Sequence, residues 1–217
     1  MRKFFLILTM FMIQPLKLFV YRRIYGWNIG HTVKIGFSYI DADDVLIGDG
    51  VRIGNFNIIR NLRHLQVDTG SFIANFNQFY GNKYQDPQWK TCLIIRDHVL
   101  FMSHHFIDVA GTIEIGSKTV VGGRDTHFWS HSLVSENDSS KLVPLDIFIG
   151  KNVYIGARAT LLGCSIPDAA IIGMGSVVTK SFSAEDCQLL IAGNPAMIKK
   201  RYSTANNSEL LVAASDN

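Results

Sequence analysis

Residues 149–180 read IGKNVYIGARATLLGCSIPDAAIIGMGSVVTK, and a six-residue period runs through them. Ile149-Gly150 is followed six residues later by Ile155-Gly156, and Ile172-Gly173 is followed six residues later by Val178-Thr179. The period slips by one residue around the segment 161–163. A repeat this short is typical of the hexapeptide class of parallel β-helix and too short for a solenoid of helix pairs.

The same period occurs earlier in the chain, from Ile47-Gly48 to Ile53-Gly54 and from Ile115-Gly116 to Val121-Gly122. Each unit predicts one short strand and one turn, with the aliphatic residue pointing inward and the small residue permitting the turn. Three units close a triangular coil of about 18 residues, and coils stack with parallel strands. A β-sandwich would instead show strands of period two between turn signals. The sequence therefore predicts an all-β fold, a parallel β-helix. The aperiodic segments 78–91 and 130–146 predict excursions from it, of a kind that usually lies on the binding face.

Composition excludes several classes of protein. The chain has 217 residues, of which 47% are hydrophobic and 18% charged, so it is not disordered as a whole. The net charge of +3 is too small for a dedicated nucleic-acid binder. No clean run of about 20 apolar residues is present, which excludes a polytopic membrane protein. The three scattered cysteines predict idle thiols in a reducing compartment.

The first 25 residues form an arm of distinct composition, with five cations and no acid. Residues 4–13 resemble the apolar core of a signal peptide, but no small-residue cleavage site follows. Three interpretations are open: a helix packed on the protein's own core or on a sister subunit, an interfacial helix on an anionic inner leaflet, and an uncleaved anchor. We expect a cytoplasmic protein that attaches peripherally to the inner face of the membrane, with packing on the protein as the rival.

Three segments resemble one family. Residues 149–157 resemble the coil "IGxNVWIGA", residues 171–180 resemble "VIGAGSVVTK", and residues 193–201 resemble the closing "GNPAxxIKKR" of the left-handed parallel β-helix acyltransferases, in the branch of galactoside, xenobiotic and polysaccharide O-acetyltransferases. The resemblance covers residues 26–201 and leaves the arm, 1–25, and a polar tail, 202–217. It implies a left-handed parallel β-helix with an N-terminal helical arm and an extruded loop. It also implies acetyl-CoA as co-substrate and a homotrimer with the coenzyme in a groove between subunits.

The resemblance also assigns binding residues. Turns of small residues would approach the pantetheine arm, and basic or hydroxyl residues would lie near the adenosine phosphates. The segment 74–77, ANFN, resembles a segment of the galactoside branch and suggests an acceptor contact. Position 174 departs from the family, which usually has alanine there. The coenzyme residues so assigned are Gly156, Ala157, Gly173, Met174, Thr179, Lys180 and Lys200, and the acceptor residue is Asn75.

Four of the seven histidines fall between positions 104 and 131, and a histidine suits the general base that acyl transfer to a hydroxyl requires. His131 is the first candidate, because it opens the second excursion and the segment 127–131 resembles the "QFWTH" of polysaccharide acetyltransferases. Trp129 in that segment is assigned to the acceptor. His105 is the second candidate, with Asp108 as an acid that could orient one of the paired histidines. His127 follows Val121 by six residues, so we expect it to point inward.

The function predicted from the sequence is acetyl-CoA-dependent O-acetylation of a sugar hydroxyl, in a surface polysaccharide or its precursor. One alternative is N-acetylation of a nucleotide-linked amino sugar, although no nucleotide-binding unit precedes the repeats. Another is a non-catalytic β-helix scaffold. Three histidines, 105, 127 and 131, could also be zinc ligands, as three histidines are in the γ-class carbonic anhydrases. Their spacing differs from that of the anhydrases, so no metal is expected.

Overall fold

The structure is a computed structural model that describes residues 2–84, 86–87, 89–136, 139–183 and 187–203. Two helices come first, α1 (Arg2–Met10) and α2 (Gln14–Arg23). The strands are β1 (Asn28–Ile29), β2 (Lys34–Ile35), β3 (Tyr39–Ile47), β4 (Arg52–Ile53), β5 (Ile58–Val67), β6 (Phe72–Ile73), β7 (Gln78–Gly81), β8 (Cys92–Ile95), β9 (Leu100–Phe101), β10 (Phe106–Val109), β11 (Thr112–Ile115), β12 (Val120–Val121), β13 (His127–Trp129), β14 (His131–Glu136), β15 (Ser139–Pro144), β16 (Ile147–Ile149), β17 (Tyr154–Ile155), β18 (Thr160–Leu162), β19 (Ser165–Ile166), β20 (Ile171–Ile172), β21 (Val177–Val178), β22 (Cys187–Ala192) and β23 (Met197–Ser203).

The strands form the three faces of a triangular prism. Face A contains the first half of β5 and then β7, β10, β13, β18 and β21. Face B contains the second half of β5 with β8, β11, β16 and β19, and face C contains β2, β4, β6, β9, β12, β17, β20 and β22. Pairing is parallel throughout, except in β14–β15 and β22–β23. The prediction of a left-handed parallel β-helix with a helical arm is confirmed.

The core of the prism is the predicted aliphatic repeat. Ile47, Ile115, Val121, Ile155 and Ile172 are all at most 1% exposed. Ile47 ends β3, whose second half pairs with the face B half of β5, and the other four lie on strands of face B or face C. This burial supplies the apolar contact that a single coil could not make alone.

Face A contributes larger core residues, and here one prediction is wrong. In β13 it is Phe128, not His127, that points into the core of the prism, and Phe128 pairs there with the buried Leu161. The corner between Val121 and Phe128 is one residue longer than the corresponding corner between Ile155 and Leu161. His127 therefore points outward, and its ring contacts Phe106.

Both predicted excursions leave the coil after a strand of face A, and the first begins later than predicted, because residues 78–81 form β7 itself. The second is a hairpin of β14 and β15, in which His131 lies opposite Pro144. The first follows β7 and is held by the Arg63 side chain, which donates to the carbonyls of Trp89 and Lys83, each at 3.0 Å. As a result Trp89 is 3% exposed although it belongs to a polar excursion.

The arm packs across the N-terminal end of the prism. The Lys17 ammonium is buried and donates to the carbonyls of Ile35 and Gly36 at 3.1 and 2.7 Å. The Gln14 amide donates to the Val33 carbonyl and accepts from the Ile35 amide. These bonds satisfy backbone groups at the open end of the first coils, where no further coil pairs with them.

The outer side of the arm is apolar and exposed, and neither described helix is long and apolar enough to span a membrane. Its large side chains are between 46% and 73% exposed: Phe4, Phe5, Ile7, Leu8, Phe11, Ile13, Leu16, Phe19 and Ile24. The tail beyond residue 203 lies outside the described residues.

Candidate active site

A histidine and an aspartate form a hydrogen-bonded pair on face A. His131 donates from Nδ1 to Oδ2 of Asp108 over 2.7 Å, if the ring carries its proton there. The Asp108 side chain is 8% exposed and that of His131 is 26% exposed, so the carboxylate is shielded while the ring reaches solvent. No described residue bonds to Nε2 of His131, which leaves that nitrogen available to a ligand.

The coil geometry brings these two residues together across 23 positions of sequence. Asp108 in β10 pairs with Trp129 in β13, and His131 follows two residues later, where the chain leaves the coil for the hairpin. Ser130 fixes this departure: its amide donates to Oδ2 of Asp108 at 3.2 Å, and its hydroxyl donates to the Asp108 carbonyl at 2.6 Å. The backbone at Asp108 and directly before His131 is thereby held in place.

Two tryptophans enclose the histidine ring. Trp89 from the first excursion stacks on His131 with ring centroids 6.4 Å apart, and Trp129 meets it edge-on at 6.2 Å. Trp129 is itself packed on Phe106 at 5.1 Å. The segment 127–131 predicts Trp129 at the site, whereas Trp89 is not predicted; its only signal in the sequence is its place in an aromatic-bearing excursion.

His105, the second candidate base, lies in the core. It is 1% exposed, its Nδ1 accepts the Thr126 amide at 3.1 Å, and its ring meets Phe101 edge-on. Burial lowers the pKa of His105 to about 4, so the ring is neutral near pH 7. The structure does not bring His105 into contact with His131.

Side chains on face A form a row that passes through the pair. Strand register aligns Arg60, Tyr80, Asp108 and Trp129 on β5, β7, β10 and β13. The Arg60 guanidinium lies 3.8 Å from the centre of the Tyr80 ring, and Tyr80 contacts Phe106 at 5.5 Å. The His131–Asp108 pair thus borders a surface rich in aromatic rings.

The predicted coenzyme residues lie on the C-terminal coils. β21 pairs with β18, and β18 pairs with β13. Thr179 and Lys180 follow directly after β21, so they lie on the opposite side of the His131–Asp108 pair from Arg60. Both are exposed, as are Met174 at 77% and Lys200, whose ammonium lies over the Tyr202 ring. None of the described contacts joins these residues to His131.

The glycines of the predicted coenzyme turns are required by the stacking of the coils. A Cβ at Gly156 would lie 2.7 Å from the Met174 amide nitrogen, and one at Gly173 would lie 2.8 Å from the Ala192 Cβ. Ala157, next to Gly156, is half-buried. Glycine is therefore needed at both turns whether or not a ligand binds there.

Asn75 lies at a corner of the prism rather than beside His131. Its Oδ1 accepts the Asn55 amide at 2.7 Å, and Oδ1 of Asn55 accepts the Phe37 amide on the next coil. The side chain therefore takes part in a ladder of stacked corners, and no described contact joins it to the pair.

The described part of the chain shows no metal site, and two of its cysteines, Cys92 and Cys164, are unsuited to act as nucleophiles. No group of three or more potential ligands occurs among these residues. Burial raises the pKa of the Cys164 thiol to about 12 and that of Cys92 above its ordinary value, so neither is a thiolate near neutral pH.

Comparison with known proteins identifies the repeat and the fold. Residues 147–180 match the family model of the hexapeptide repeat of succinyl-transferase. A structure of AntD, an N-acyltransferase from Bacillus cereus, in complex with dTDP-4-amino-4,6-dideoxyglucose and coenzyme A, is similar with a TM-score of 0.50 and 14% identity, over 94% of this chain and 98% of that one. A hexapeptide-repeat acetyltransferase from Vibrio cholerae O1 biovar eltor, complexed with acetyl coenzyme A, has a TM-score of 0.44 and 17% identity, over 93% of this chain and 86% of that one. A polysialic acid O-acetyltransferase has a TM-score of 0.44 and 17% identity, over 87% of this chain and 98% of that one.

Residues 147–180 therefore carry the hexapeptide repeat and the chain has the fold of a left-handed β-helix, so the resemblance noted in its sequence is confirmed in both respects. At these identities the structural likeness establishes the fold, and the chemistry has to be argued from the site.

Proposed function

We propose that this protein is an acetyl-CoA-dependent O-acetyltransferase that acts on a sugar hydroxyl, with His131 as the general base. The observation that carries the proposal is the 2.7 Å bond between Nδ1 of His131 and the shielded Asp108 carboxylate. A carboxylate there holds the ring proton on Nδ1, so Nε2 can accept a proton. His105 is not the base in this proposal, because its ring is buried and its Nδ1 is already bonded.

The reaction is a direct transfer. The sugar hydroxyl oxygen attacks the thioester carbonyl while Nε2 of His131 takes its proton; the C–S bond then breaks, and the coenzyme sulfur leaves with that proton. Asp108 stabilises the imidazolium that forms between the two steps. Acetyl-CoA would bind beside the C-terminal coils, at Gly156, Ala157, Gly173, Met174, Thr179, Lys180 and Lys200. The acceptor would lie on the side of Trp129 and Trp89, with Asn75 as a further contact.

A thiol-release assay with acetyl-CoA and a panel of sugars, some with free hydroxyls and some with free amines, tests this proposal. His131→Ala should lower kcat by at least about 100-fold and leave the KM for acetyl-CoA nearly unchanged, as expected for a lost base. His31→Ala, at an exposed histidine on another corner, is the matched control. Full activity of His131→Ala with inactive His105→Ala would contradict the assignment, and exclusive use of amines would favour N-acetylation.

The site is also proposed to work in a homotrimer. The predicted coenzyme residues line an open surface in one chain, because Met174, Thr179, Lys180 and Lys200 are all exposed. A neighbouring subunit would complete a groove there and give three equivalent sites. Light scattering on the purified protein should give three times the mass of one chain; a monomer with full activity would contradict this.

Peripheral attachment to the inner face of the membrane is proposed to occur through the exposed outer side of the arm. Arg2, Lys17 and Arg22 are bound to the β-helix, so only Lys3 and Arg23 are left for anionic lipid. Binding should therefore depend mainly on apolar side chains. We expect the protein to sediment with vesicles of phosphatidylcholine and phosphatidylglycerol, and Phe5→Glu to abolish this, whereas Leu133→Glu in the hairpin should not. Equal sedimentation of both variants would contradict the proposal.

A further inference from the structure

A groove of about 400 Å³ lies between helix α1 and the outer surface of β3 and β5. This volume lies in the range of about 300–1,000 Å³ that is usual for ligand pockets. The apolar side chains that line it are Ile7, Met10, Tyr39, Phe56 and Ile58. Ile7 also belongs to the exposed outer side of the arm, at 48%, so the groove is continuous with that apolar surface.

Two cations, Lys3 and Arg60, also line the groove. Lys3 lies over the Tyr84 ring at 5.2 Å and Arg60 over the Tyr80 ring at 3.8 Å, and neither forms an ion pair with a described carboxylate. Asp41, on the neighbouring strand, is already within 3.2 Å of Arg2. The groove therefore combines an apolar wall with positive charge that the described residues do not neutralise, which is complementary to an anionic amphiphile.

The groove is connected to the proposed active site by one row of face A. Arg60 is aligned with Tyr80, and Tyr80 with Asp108, the partner of His131. Two spacings between neighbouring strands separate Arg60 from Asp108, or about 10 Å. Aromatic rings occupy this interval, and sugar rings stack favourably on such rings. A ligand anchored in the groove could thus extend a short glycan to His131.

We propose that the groove binds the phosphorylated apolar end of a lipid-linked glycan, and that such a glycan is the acceptor. Lys3 and Arg60 would contact the phosphate, while Ile7, Met10 and Ile58 would contact the apolar chain. The sugars would lie along Tyr80 and Trp129, with the reacting hydroxyl at Nε2 of His131. This inference rests on the proposed function for the identity of the acceptor, but binding in the groove is measurable without any acetyl transfer.

The test is equilibrium dialysis of the full chain with farnesyl monophosphate below its critical micelle concentration, with farnesol and inorganic phosphate as separate probes. We expect farnesyl monophosphate to bind more tightly than either. Ile58→Glu, which places a negative charge in the groove, should weaken its binding at least ten-fold, and Ile58→Ser should weaken it less. Arg60→Gln should weaken binding of farnesyl monophosphate but not of farnesol. Leu100→Glu, at a similarly exposed aliphatic residue on face C, is the matched control and should bind normally.

Three outcomes would overturn the proposal. The first is equal binding by wild type and Ile58→Glu. The second is a combined result: Ile58→Glu no longer sediments with vesicles, and farnesyl monophosphate does not compete with vesicles for the wild-type protein. That result would mean that the groove holds a bilayer phospholipid. The third is a changed mass of Ile58→Glu in solution, which would make the groove an interface between copies. Thiol release with soluble sugars is assayed separately, so failure of the proposed function would be seen independently of the dialysis result.

Discussion

Asp108→Asn tests whether the carboxylate serves the chemistry or only the fold. Asparagine has nearly the same shape, and its oxygen can still accept the Ser130 amide, so the backbone should keep its place. The variant loses the negative charge that faces Nδ1 of His131 at 2.7 Å in a side chain that is 8% exposed. A hydrogen bond to a charged group contributes about 1.5–3 kcal/mol and a neutral one about 1 kcal/mol. The imidazolium formed during transfer should therefore lose about 0.5–2 kcal/mol of stabilisation.

That loss corresponds to a decrease in kcat of roughly 2- to 30-fold. The decrease becomes larger if the amide of the variant donates to Nδ1, because Nε2 would then carry the ring proton and could not act as base. The KM for acetyl-CoA should not change, since no described contact joins Asp108 to the predicted coenzyme residues. The assay is steady-state thiol release with the best sugar acceptor from the panel.

Two further measurements separate positioning from a purely structural effect. The melting temperature of Asp108→Asn should stay within a few degrees of wild type, and the ¹⁵N spectrum of the His131 ring should show Nδ1 protonated in wild type but a changed tautomer population in the variant. An unchanged kcat would refute the role given to Asp108. The role would also be refuted if the decrease in kcat were accompanied by unfolding of Asp108→Asn while the His131 ring kept the same tautomer.

Three other predictions concern separate parts of the molecule. Lys17→Met should lower the free energy of unfolding in urea by about 1–3 kcal/mol, because two carbonyls lose a charged donor; Lys34→Met, at an exposed lysine, should have little effect, and equal effects would contradict the capping role. The pKa of His105 is about 4 in the folded chain, against 6.5 for an unperturbed histidine, so the unfolded chain binds the proton first as the pH falls. The free energy of unfolding should therefore fall by roughly 3 kcal/mol as pH drops from 6.5 to 4. His105→Gln should lack this part of the pH dependence in urea titrations, and an identical pH profile would show that the ring is not buried. Lys180→Ala should raise the KM for acetyl-CoA about three- to ten-fold without lowering kcat, whereas Lys151→Ala should not; the reverse result would remove Lys180 from the coenzyme site.

The fold could be predicted from the sequence because its information is local. A six-residue period needs only neighbouring residues to be recognised, and each repeat aliphatic residue, such as Ile115 or Ile155, is buried as expected. The one error on face A came from the same source: counting six from Val121 reaches His127, but a corner longer by one residue places Phe128 inside. Corner lengths vary with the backbone conformation of the turn, and the period does not report them.

The site could be predicted only in part, because its pairing depends on the length of a whole coil. The place of His131 at the start of the excursion predicts its role. The sequence also indicates Asp108, but as a partner for the histidines beside it in sequence. The register that pairs Asp108 with Trp129 follows from their separation by 21 positions, a number set by three corners and three strands. Trp89 could not be placed at all, because the path of an excursion is determined by contacts such as that with Arg63 and has no period.

The basic composition of the arm has two possible physical explanations, attraction to anionic lipid and capping of the β-helix. Five cations without an acid suggest attraction to anionic lipid, yet Lys17 and Arg22 donate to backbone carbonyls at the N-terminal end of the prism. A stacked β-helix exposes unpaired backbone groups at each end, and these have to be covered. At the other end β23 covers β22 by antiparallel pairing, whereas at the first coil long basic side chains provide the donors. The charge of the arm is thus largely explained by capping. The proposed membrane contact therefore rests not on the charge but on the apolar side chains that capping leaves exposed, such as Phe5 and Phe19.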